Sequence, residues 1–505
     1  MPRPATGKQN ASPREMEDTI RRFLSGCRDP VLVEPGEEPI PLEANRYTIE
    51  SRGDSCVLHA WNESGNLVRR VTAIVRESRG KLEARARRFG TGEATLTLMD
   101  AARKSASLQR LAGPLQFREA LRRMIARNFS DWRIEHLTAA ADLEHSLSGL
   151  YARGVLRRGQ QAWAVIGAAA EMGSAVCDQI LTFGLIWLEQ ARRQRPGAMS
   201  GLLVLLPHGH TRATANRLAF LRRDTLQFWL HEFDAKGHLA SLDERDFGNL
   251  HTELLPCRPA PEPVEPVAGW VRQFLEVPGV EALAGTDGLI SLRVRGLGFA
   301  QAGSGVLACG LDELRPVTVE RLPRALTLAR ELARFRSANA ADRLNPLYRK
   351  YPESWLESQV RRDVRVIDPT LRTGPVYTHP LSIAGADRGI IDLLACDHHG
   401  RLAVLELKAT EDIHLPLQGL DYWLRVKWHL DRGDFQLRGY FPGIELSSQP
   451  PRILLVSPGV EFHPTTETLL RYFPPEVEVE RVGIGEDWRR ELRVVFRKLG
   501  AGRLA

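Results

Sequence analysis

Two acidic residues and a lysine near the C-terminus have the types and spacing to bind a divalent cation. Asp392 follows the apolar residues 390–391, and Glu406 and Lys408 stand at the end of the apolar run 402–407. Side chains alternate between the faces of a β-strand, so Glu406 and Lys408 point to one side while Leu407 points away. Asp392 can lie beside Glu406 if the two runs pair. Mg²⁺ or Mn²⁺ would relieve the repulsion between the two carboxylates.

Such a site fits metal-assisted hydrolysis of a phosphodiester. Asp392 and Glu406 would supply carboxylate oxygens to the cation, and the Leu407 carbonyl is a third candidate ligand. The cation would polarise the phosphate and lower the pKa of a bound water. Lys408 would orient that water or help to deprotonate it, and would stabilise the charge developing on the phosphate.

The flanking elements predict an α/β domain that brings these residues to one end of a sheet. Strands are predicted at 390–397 and 402–407, joined at a turn through His398-His399-Gly400. Apolar residues at helical spacing predict one helix before this hairpin, at 353–366, and another after it, at 415–430.

These residues together resemble the PD-(D/E)xK nuclease superfamily. Asp392 followed by Glu406-Leu407-Lys408 looks like its D…ExK signature, although Ile391 stands where the superfamily name has Pro. Gln418 and Tyr422 match the QxxxY extension of the RecB-type branch, and an i, i+4 pair shares one helical face. The resemblance implies a restriction-endonuclease-like fold, a mixed sheet flanked by helices, over residues 345–500.

Two further stretches support the same resemblance. Trp355-Leu356-Glu357 resembles the first motif of the superfamily, which implies that Glu357 is an accessory metal ligand; Glu353, one turn earlier, competes for this role. The run 389–394 resembles the NucS-type endonucleases, which place a β-rich domain before the nuclease domain. Those proteins have one domain of each kind, whereas this chain is predicted to have two, so their substrate specificity does not carry over.

The N-terminal half follows a similar plan without the charged residues. Ala403–Glu406 can be laid over Ala164–Gly167, an offset of 239 (406 − 167), which also places Gln418 on Gln179 and Tyr422 on Phe183. Gly167, Ala169 and Arg153 then stand where Glu406, Lys408 and Asp392 stand. We therefore predict a duplicated fold with one degenerate copy that acts as scaffold, pseudo-dimer partner or DNA clamp. Any α/β sheet yields a similar order of elements, and that alternative stays open.

Composition and turn signals divide the chain into six parts. A proline-rich stretch between the two halves, PAPEPVEP, predicts a linker. The predicted parts are a flexible leader with one short amphipathic helix (1–40), a small β-rich domain (41–110), the degenerate nuclease-like domain (111–257), the linker (258–268), a β-rich segment plus helix (269–344) and the nuclease domain (345–500).

The charge balance agrees with a nucleic-acid partner without requiring one. Lys and Arg outnumber Asp and Glu by 69 to 62, a formal net charge of +7. The residues predicted to contact DNA phosphates near the site are Arg361, Arg362, Arg365, Arg388, Arg425 and Lys427. Six cysteines without a CxxC pair, and no apolar stretch long enough for a bilayer, predict a cytoplasmic protein with no membrane association.

We therefore expect a Mg²⁺-dependent deoxyribonuclease, an endonuclease of DNA repair or defence, acting as a homodimer or as an intrachain pseudo-dimer. Two alternatives remain at this stage. One is a catalytically silent nucleic-acid-binding protein with a nuclease-like fold, and the other is a nuclease directed at RNA.

Overall fold

The computed structural model describes residues 12–501, with gaps. The gaps are 29, 35–39, 43–46, 53–54, 63–64, 79, 88–92, 101–105, 196, 224–225, 246–249, 251, 259–261, 286–287, 304, 379–380, 383–391 and 460–461. The fold is mixed α/β, with several sheets and helices. The chain forms two compact units, one of residues 1–218 and 223–245, the other of 219–222 and 246–505.

Unit 1 begins with a helix packed on a seven-stranded antiparallel sheet, in the order β2-β1-β7-β6-β5-β4-β3. Ser12 and Glu15 form a capping box at the start of the helix, which buries Met16 and Ile20 in the core of the sheet. Apolar side chains of residues 13–28 and 30–33, predicted as part of a leader, therefore belong to this core. The elements are α1 (Pro13–Ser25), β1 (Pro30–Val33), β2 (Ile40–Pro41), β3 (Tyr47–Arg52), β4 (Ser55–Asn62), β5 (Gly65–Ser78), β6 (Lys81–Arg87) and β7 (Glu93–Asp100).

The second part of unit 1 is a six-stranded sheet, here called the N-terminal sheet, in the order β13-β12-β11-β10-β9-β8. Its continuous apolar runs are buried on both faces, as expected for strands covered by helices. The elements are α2 (Ala106–Asn128), β8 (Arg133–Thr138), β9 (Ala152–Arg158), β10 (Gln161–Gly167), α3 (Ser174–Gln194), β11 (Met199–Pro207), α4 (Arg212–Leu218), β12 (Gln227–Phe233) and β13 (Leu239–Leu242).

The boundary between the halves lies earlier than predicted. The strand β14 (Glu253–Leu254) pairs with β21 (Leu381–Ser382), and the Cys257 amide donates a hydrogen bond to the Arg438 carbonyl. Residues 252–257 therefore belong to unit 2 rather than to the degenerate domain predicted for 111–257. The predicted linker also ends sooner, because α5 (Val267–Leu275) begins directly after Pro266 and buries Val271 and Phe274.

Unit 2 contains a five-stranded antiparallel sheet, β15 to β19 in sequence order, packed against α5 and α6. This is the β-rich segment that the sequence predicts before the nuclease domain. Its elements are β15 (Val280–Ala284), β16 (Ile290–Val294), β17 (Leu297–Gly303), β18 (Val306–Cys309), β19 (Arg315–Pro316) and α6 (Leu322–Phe335).

The rest of unit 2 is a second six-stranded sheet, here called the C-terminal sheet, in the order β20-β22-β23-β24-β25-β26. One face packs against α8 and the other against α9. The elements are α7 (Pro346–Arg349), α8 (Pro352–Arg362), β20 (Tyr377–Thr378), β22 (Leu393–Cys396), β23 (Leu402–Leu407), α9 (Leu415–Asp431), α10 (Asp434–Leu437), β24 (Arg452–Pro458), α11 (Thr466–Leu470), β25 (Val479–Ile484) and β26 (Val494–Leu499).

The two six-stranded sheets have the same order and the same strand directions. From β8 to β13 the pairings are antiparallel, antiparallel, parallel, parallel and antiparallel. From β20 through β22 to β26 they follow the identical series. Among the described residues, no helix has the length and apolar character needed to cross a membrane.

Candidate active site

A β-hairpin places the predicted site residues at one end of the C-terminal sheet. In the hairpin Leu393 pairs with Leu405, so Asp392, one residue before β22, lies next to Glu406. The carboxylate oxygen Oδ2 of Asp392 accepts a hydrogen bond of 2.8 Å from the backbone amide of Leu407. This hydrogen bond joins the residue before β22 to the last residue of β23.

Glu406 and Lys408 lie on the face predicted for them. The ammonium Nζ of Lys408 is 3.3 Å from Oε1 of Glu406 and 3.6 Å from Oδ2 of Asp412. The side chain of Leu407 packs in the opposite layer with Leu405 and the residues of α8, as strand alternation requires. The structure therefore brings Asp392, Glu406 and Lys408 together, and it adds Asp412, which the sequence analysis did not single out.

The structure distinguishes between the two glutamates of α8. Both lie within electrostatic reach of Asp392, because the Asp392 charge raises the pKa of Glu357 and the Glu353 charge raises that of Asp392. They differ in burial, since Glu357 is 4% exposed and Glu353 is only partly buried. Oε1 of Glu357 lies 3.9 Å from both Nη1 of Arg293 and Nε of Arg361. Both distances exceed a normal hydrogen bond. Glu357 thus lies between two guanidinium groups and the site, and one of these groups comes from the β-rich segment.

Gln418 and Tyr422 lie on α9, which covers the face of β23 that carries Glu406. Tyr422 is buried with Leu394 and Val404, and the charges of Glu406 and Asp392 act on its hydroxyl. The amide oxygen Oε1 of Gln418 is buried and has no hydrogen-bond partner. Helix α9 approaches the sheet closely at Gly419, where a Cβ atom would meet Leu455 at 2.9 Å.

The electrostatics of the site penalise its carboxylates. Burial raises the pKa of Asp392 to about 6 and that of Glu357 to about 7. The pKa of Glu406 lies well above its usual value because of burial and then the neighbouring Asp392. Burial alone would lower the pKa of Lys408, but Glu406, Asp412 and Asp392 outweigh it and raise that pKa. The cluster therefore combines several buried carboxyl groups with one ammonium group, that of Lys408.

The donor set fits a hard divalent cation. Oε2 of Glu406, Oε1 of Glu357 and Oε1 of Gln418 are buried oxygens without hydrogen-bond partners, and such groups are costly unless something binds them. Carboxylate and amide oxygens are the ligands that Mg²⁺ prefers, with waters completing the shell. Within the described part of the chain, no three His, Cys, Asp or Glu side chains form a group that could hold a metal ion by themselves. An open site held by two carboxylates and waters is the arrangement typical of Mg²⁺.

The basic residues predicted to contact DNA have different surroundings. Arg361 is 3.2 Å from Glu281 of β15, with 15% of its side chain exposed, so its charge is used inside unit 2. Arg362 is half exposed, 3.7 Å from the same glutamate, and Lys427 pairs with Asp431 at 2.7 Å. Arg425 keeps Nε and Nη1 buried without hydrogen-bond partners.

The structure describes one of the remaining two predicted DNA contacts. Arg365 pairs with Asp363 at 2.8 Å on the surface. Arg388 lies outside the described residues.

Two residues near the site were missed by the sequence analysis. Arg293 reaches Glu357 from β16, and His463 follows β24 and lies 3.8 Å from Glu411. Both belong to segments far in sequence from the D…ExK motif, and no local spacing indicates either one. Only the strand order of the sheet shows that the loop after β24 lies beside the end of β23.

Comparison with protein-family models, with curated proteins and with solved structures gives no match to this chain.

Proposed function

We propose that the chain is a Mg²⁺-dependent nuclease that hydrolyses phosphodiester bonds of DNA, with its active site at the end of β22 and β23. The observation that carries the proposal is the position of Lys408, 3.3 Å from a buried glutamate whose second oxygen has no partner. A sheet end with two carboxylates and one ammonium is destabilised by charge unless a cation binds there.

The residues have distinct roles in this proposal. Asp392 and Glu406 hold the cation, with the Leu407 carbonyl as a third ligand and Glu357 as an accessory one. When bound, the cation polarises the phosphate and makes a bound water more acidic. Lys408 positions that water and stabilises the charge that develops on the phosphate oxygens. Gln418 offers its unpartnered amide oxygen, and Tyr422 closes the apolar wall behind Glu406.

The strand order supports a restriction-endonuclease-like fold and its duplication. Both six-stranded sheets have the same series of antiparallel and parallel pairings, which is more specific than the alternation of strands and helices alone. In the N-terminal sheet, Val165 faces the preceding helix α2, and in the C-terminal sheet Leu405 faces α8. These two positions are 240 apart (405 − 165), one more than the offset obtained from the sequence.

This shift changes which residues replace the charged ones. Ile166 and Ala168, rather than Gly167 and Ala169, stand at the positions of Glu406 and Lys408. Arg153 pairs with Ile166 across the ladder and so stands at the position of Asp392.

The equivalents of the two helix residues change in the same way. Gly184 of α3 lies against Leu202 of β11, and Gly419 of α9 lies against Leu455 of β24, which are the fourth strands counted from β8 and from β20; the offset is 235 (419 − 184). Trp187, rather than Phe183, therefore stands at the position of Tyr422 (422 − 187 = 235), and Phe183 stands at Gln418. The sequence alignment without a gap missed this because the loop between strand and helix differs in length in the two halves.

The N-terminal sheet has no carboxylate at these positions. Arg153 is 4% exposed, and its guanidinium lies 5.8 Å from the ring centroid of Trp187. A buried guanidinium and apolar side chains fill the space that the acidic cluster occupies in the C-terminal sheet. In this proposal unit 1 is a scaffold or DNA-binding partner, and each chain has one competent site and would nick one strand per engagement.

The test is cleavage of labelled single-stranded, duplex and branched DNA, and of RNA, by the full-length protein in Mg²⁺ or in EDTA. We expect cleavage of DNA in Mg²⁺ alone. Glu406→Gln and Lys408→Met should lower the rate by about 100-fold or more. Glu467→Gln and Lys498→Met change the same residue types on the surface of unit 2 and should leave the rate unchanged.

The outcomes separate the alternatives. Binding of DNA without cleavage in any metal would favour a silent nucleic-acid-binding protein, and cleavage of RNA alone would favour a ribonuclease. Cleavage that persists in both Glu406→Gln and Lys408→Met would refute the proposed site.

A further inference from the structure

The loop after β24 brings a histidine to the same sheet end as the acidic cluster. Strands β23 and β24 are parallel, with Glu406 opposite Leu455, and the Lys408 amide donates to the Val456 carbonyl at 2.9 Å. The carboxyl ends of parallel neighbours share one edge, so β24 ends, at Pro458, on the edge that carries Lys408. His463, five residues further along the chain, is 3.8 Å from Glu411, whose neighbour Asp412 contacts Lys408.

The hydrogen bonds of His463 fix its tautomer. Its Nδ1 accepts a hydrogen bond of 3.1 Å from the backbone amide of Thr465 and lies 2.7 Å from the hydroxyl of that residue. A backbone amide can only donate, so Nδ1 carries no proton, and the proton of the neutral ring is on Nε2. Burial lowers the pKa of His463, although the carboxylates of Glu411 and Asp412 act against it. The ring is therefore neutral near pH 7.

This tautomer excludes metal binding by His463 and leaves hydrogen-bond donation to a ligand. A histidine that binds a metal through one nitrogen normally donates a hydrogen bond from the other, and here the other nitrogen is an acceptor. Nε2–H is a donor, and its distance of 3.8 Å to the carboxylate oxygen Oε1 of Glu411 is too long for a hydrogen bond. His463 thus presents one N–H group, 15% of its side chain being exposed, at the edge where the scissile phosphate would lie.

We propose that His463 is a substrate-binding residue of this site, and that its Nε2–H donates a hydrogen bond to a phosphate oxygen of bound DNA. The inference rests on the proposed nuclease function. Neutral donors of this kind position a nucleic-acid backbone without reading its sequence. The titratable groups that face the ring are Glu411, Asp412 and, behind them, Lys408.

Two substitutions separate phosphate binding through Nε2 from the contact of Nδ1 with the Thr465 amide. His463→Asn keeps an acceptor at the place of Nδ1, which can still receive the Thr465 amide, but it has no donor at the place of Nε2. His463→Gln puts an amide N–H near the place of Nε2. His238→Asn is the matched control, because His238 is an exposed histidine of unit 1 bonded to Asp234.

The experiment measures the dissociation constant of each full-length variant for labelled duplex and single-stranded DNA in Ca²⁺ and in EDTA, with thermal unfolding of each variant. We expect His463→Asn to bind about 10-fold more weakly in Ca²⁺ with an unchanged Tm, since a hydrogen bond to a charged group is lost. His463→Gln and His238→Asn should bind like the wild type. The ratio of wild-type to His463→Asn affinity should stay constant from pH 7 to 8, because a neutral donor has no charge to gain.

Other results overturn the inference. Equal affinity of all variants would mean that His463 only accepts the Thr465 amide, with the proposed nuclease function intact. Equal weakening in the Asn and Gln variants with a lower Tm would point to folding. An affinity ratio that grows as the pH falls from 8 to 7 would point to an imidazolium instead. A wild-type protein that binds no DNA at all would overturn both this inference and the proposed function.

Discussion

The carboxylate of Asp392 accepts the backbone amide of Leu407 at 2.8 Å, and this one bond joins the start of β22 to the segment that carries Glu406 and Lys408. The geometry of the cluster therefore depends on a side chain that is also a proposed ligand. A test of Asp392 as a ligand therefore needs a substitution that removes the charge but keeps the hydrogen bond to Leu407.

Asp392→Asn meets that requirement, because an asparagine oxygen can still accept from the Leu407 amide. We expect the variant to be at least as stable as the wild type in EDTA at pH 8, since a buried charge has been removed. Its stabilisation by Mg²⁺ should disappear together with DNA cleavage. Thermal unfolding with and without Mg²⁺ measures this.

Asp397→Asn is the control for the same chemical change. Asp397 accepts the amides of His399 and Arg401 at the hairpin turn, away from the cluster. Asp397→Asn keeps an oxygen that accepts both amides and should leave the Mg²⁺ effect in place. A normal Mg²⁺ response in Asp392→Asn would contradict the assignment of this residue as a ligand.

The pH dependence of stability follows from the buried carboxyls. The pKa of Asp392 is about 6 against an ordinary 3.8, and that of Glu357 is about 7 against 4.5. At a pH between the ordinary and the raised pKa of each group, the folded chain retains a proton that the unfolded chain has released. Their contribution to the free energy of unfolding is therefore fully present below about pH 4 and is lost as the pH rises towards 7.

The metal-free protein should accordingly lose stability between pH 5 and pH 8, and Mg²⁺ should stabilise it more at pH 8 than at pH 5. Chemical denaturation at both pH values, with and without Mg²⁺, gives the four free energies. The double variant with Glu357→Gln and Asp392→Asn should show a smaller loss. A pH response identical to that of the wild type would argue against these two groups as its source.

The turn that joins β22 and β23 depends on a glycine. Gly400 has φ of +78°, and a Cβ atom there would lie 2.1 Å from the Glu445 carbonyl oxygen. Gly400→Ala should destabilise the fold by about 2 kcal/mol or more and reduce cleavage, because the hairpin aligns Asp392 with Glu406. Gly433, with φ of +70° and no atom within 4 Å, is the control, and Gly433→Ala should cost only about 1 kcal/mol. Equal losses in the two variants would show that the Glu445 contact is unimportant.

The sequence was sufficient for the hairpin and for the placement of its charged residues. Apolar runs bounded by turn residues located β23 and α9 to within a residue or so, and strand alternation placed Glu406 and Lys408 on one face. These are local properties, since period 2 and period 3.6 are set by the backbone itself.

Contacts between distant segments could not be predicted in this way. The burial of α1 against the first sheet, the pairing of β14 with β21, and the approach of Arg293 to Glu357 depend on tertiary packing. In the proposed duplication the strand faces favour Ile166 over Gly167 as the equivalent of Glu406, because a repeat aligned by residue type does not show which face of the sheet each position occupies. The edge strands β13 and β26 were not predicted.

The N-terminal sheet should have no latent catalytic activity. Ile166 is fully buried, so Ile166→Glu would place a charge in the core without a partner and should destabilise the fold by about 3 kcal/mol or more. Val75→Glu in the same unit changes a 43% exposed apolar residue and should alter stability by about 0.5 kcal/mol at most. Chemical denaturation measures both. A stable Ile166→Glu variant that binds additional Mn²⁺ would contradict this, because it would show that the N-terminal sheet can bind a cation once a carboxylate is supplied.

Binding of Mn²⁺ to the full-length protein at pH 8, followed by electron paramagnetic resonance, tests the central claim most directly. The wild type should bind Mn²⁺, Mg²⁺ should displace it, and the double variant with Asp392→Asn and Glu406→Gln should bind none at the same concentrations. Equal Mn²⁺ binding by the wild type and the double variant would contradict a cation site between these two carboxylates.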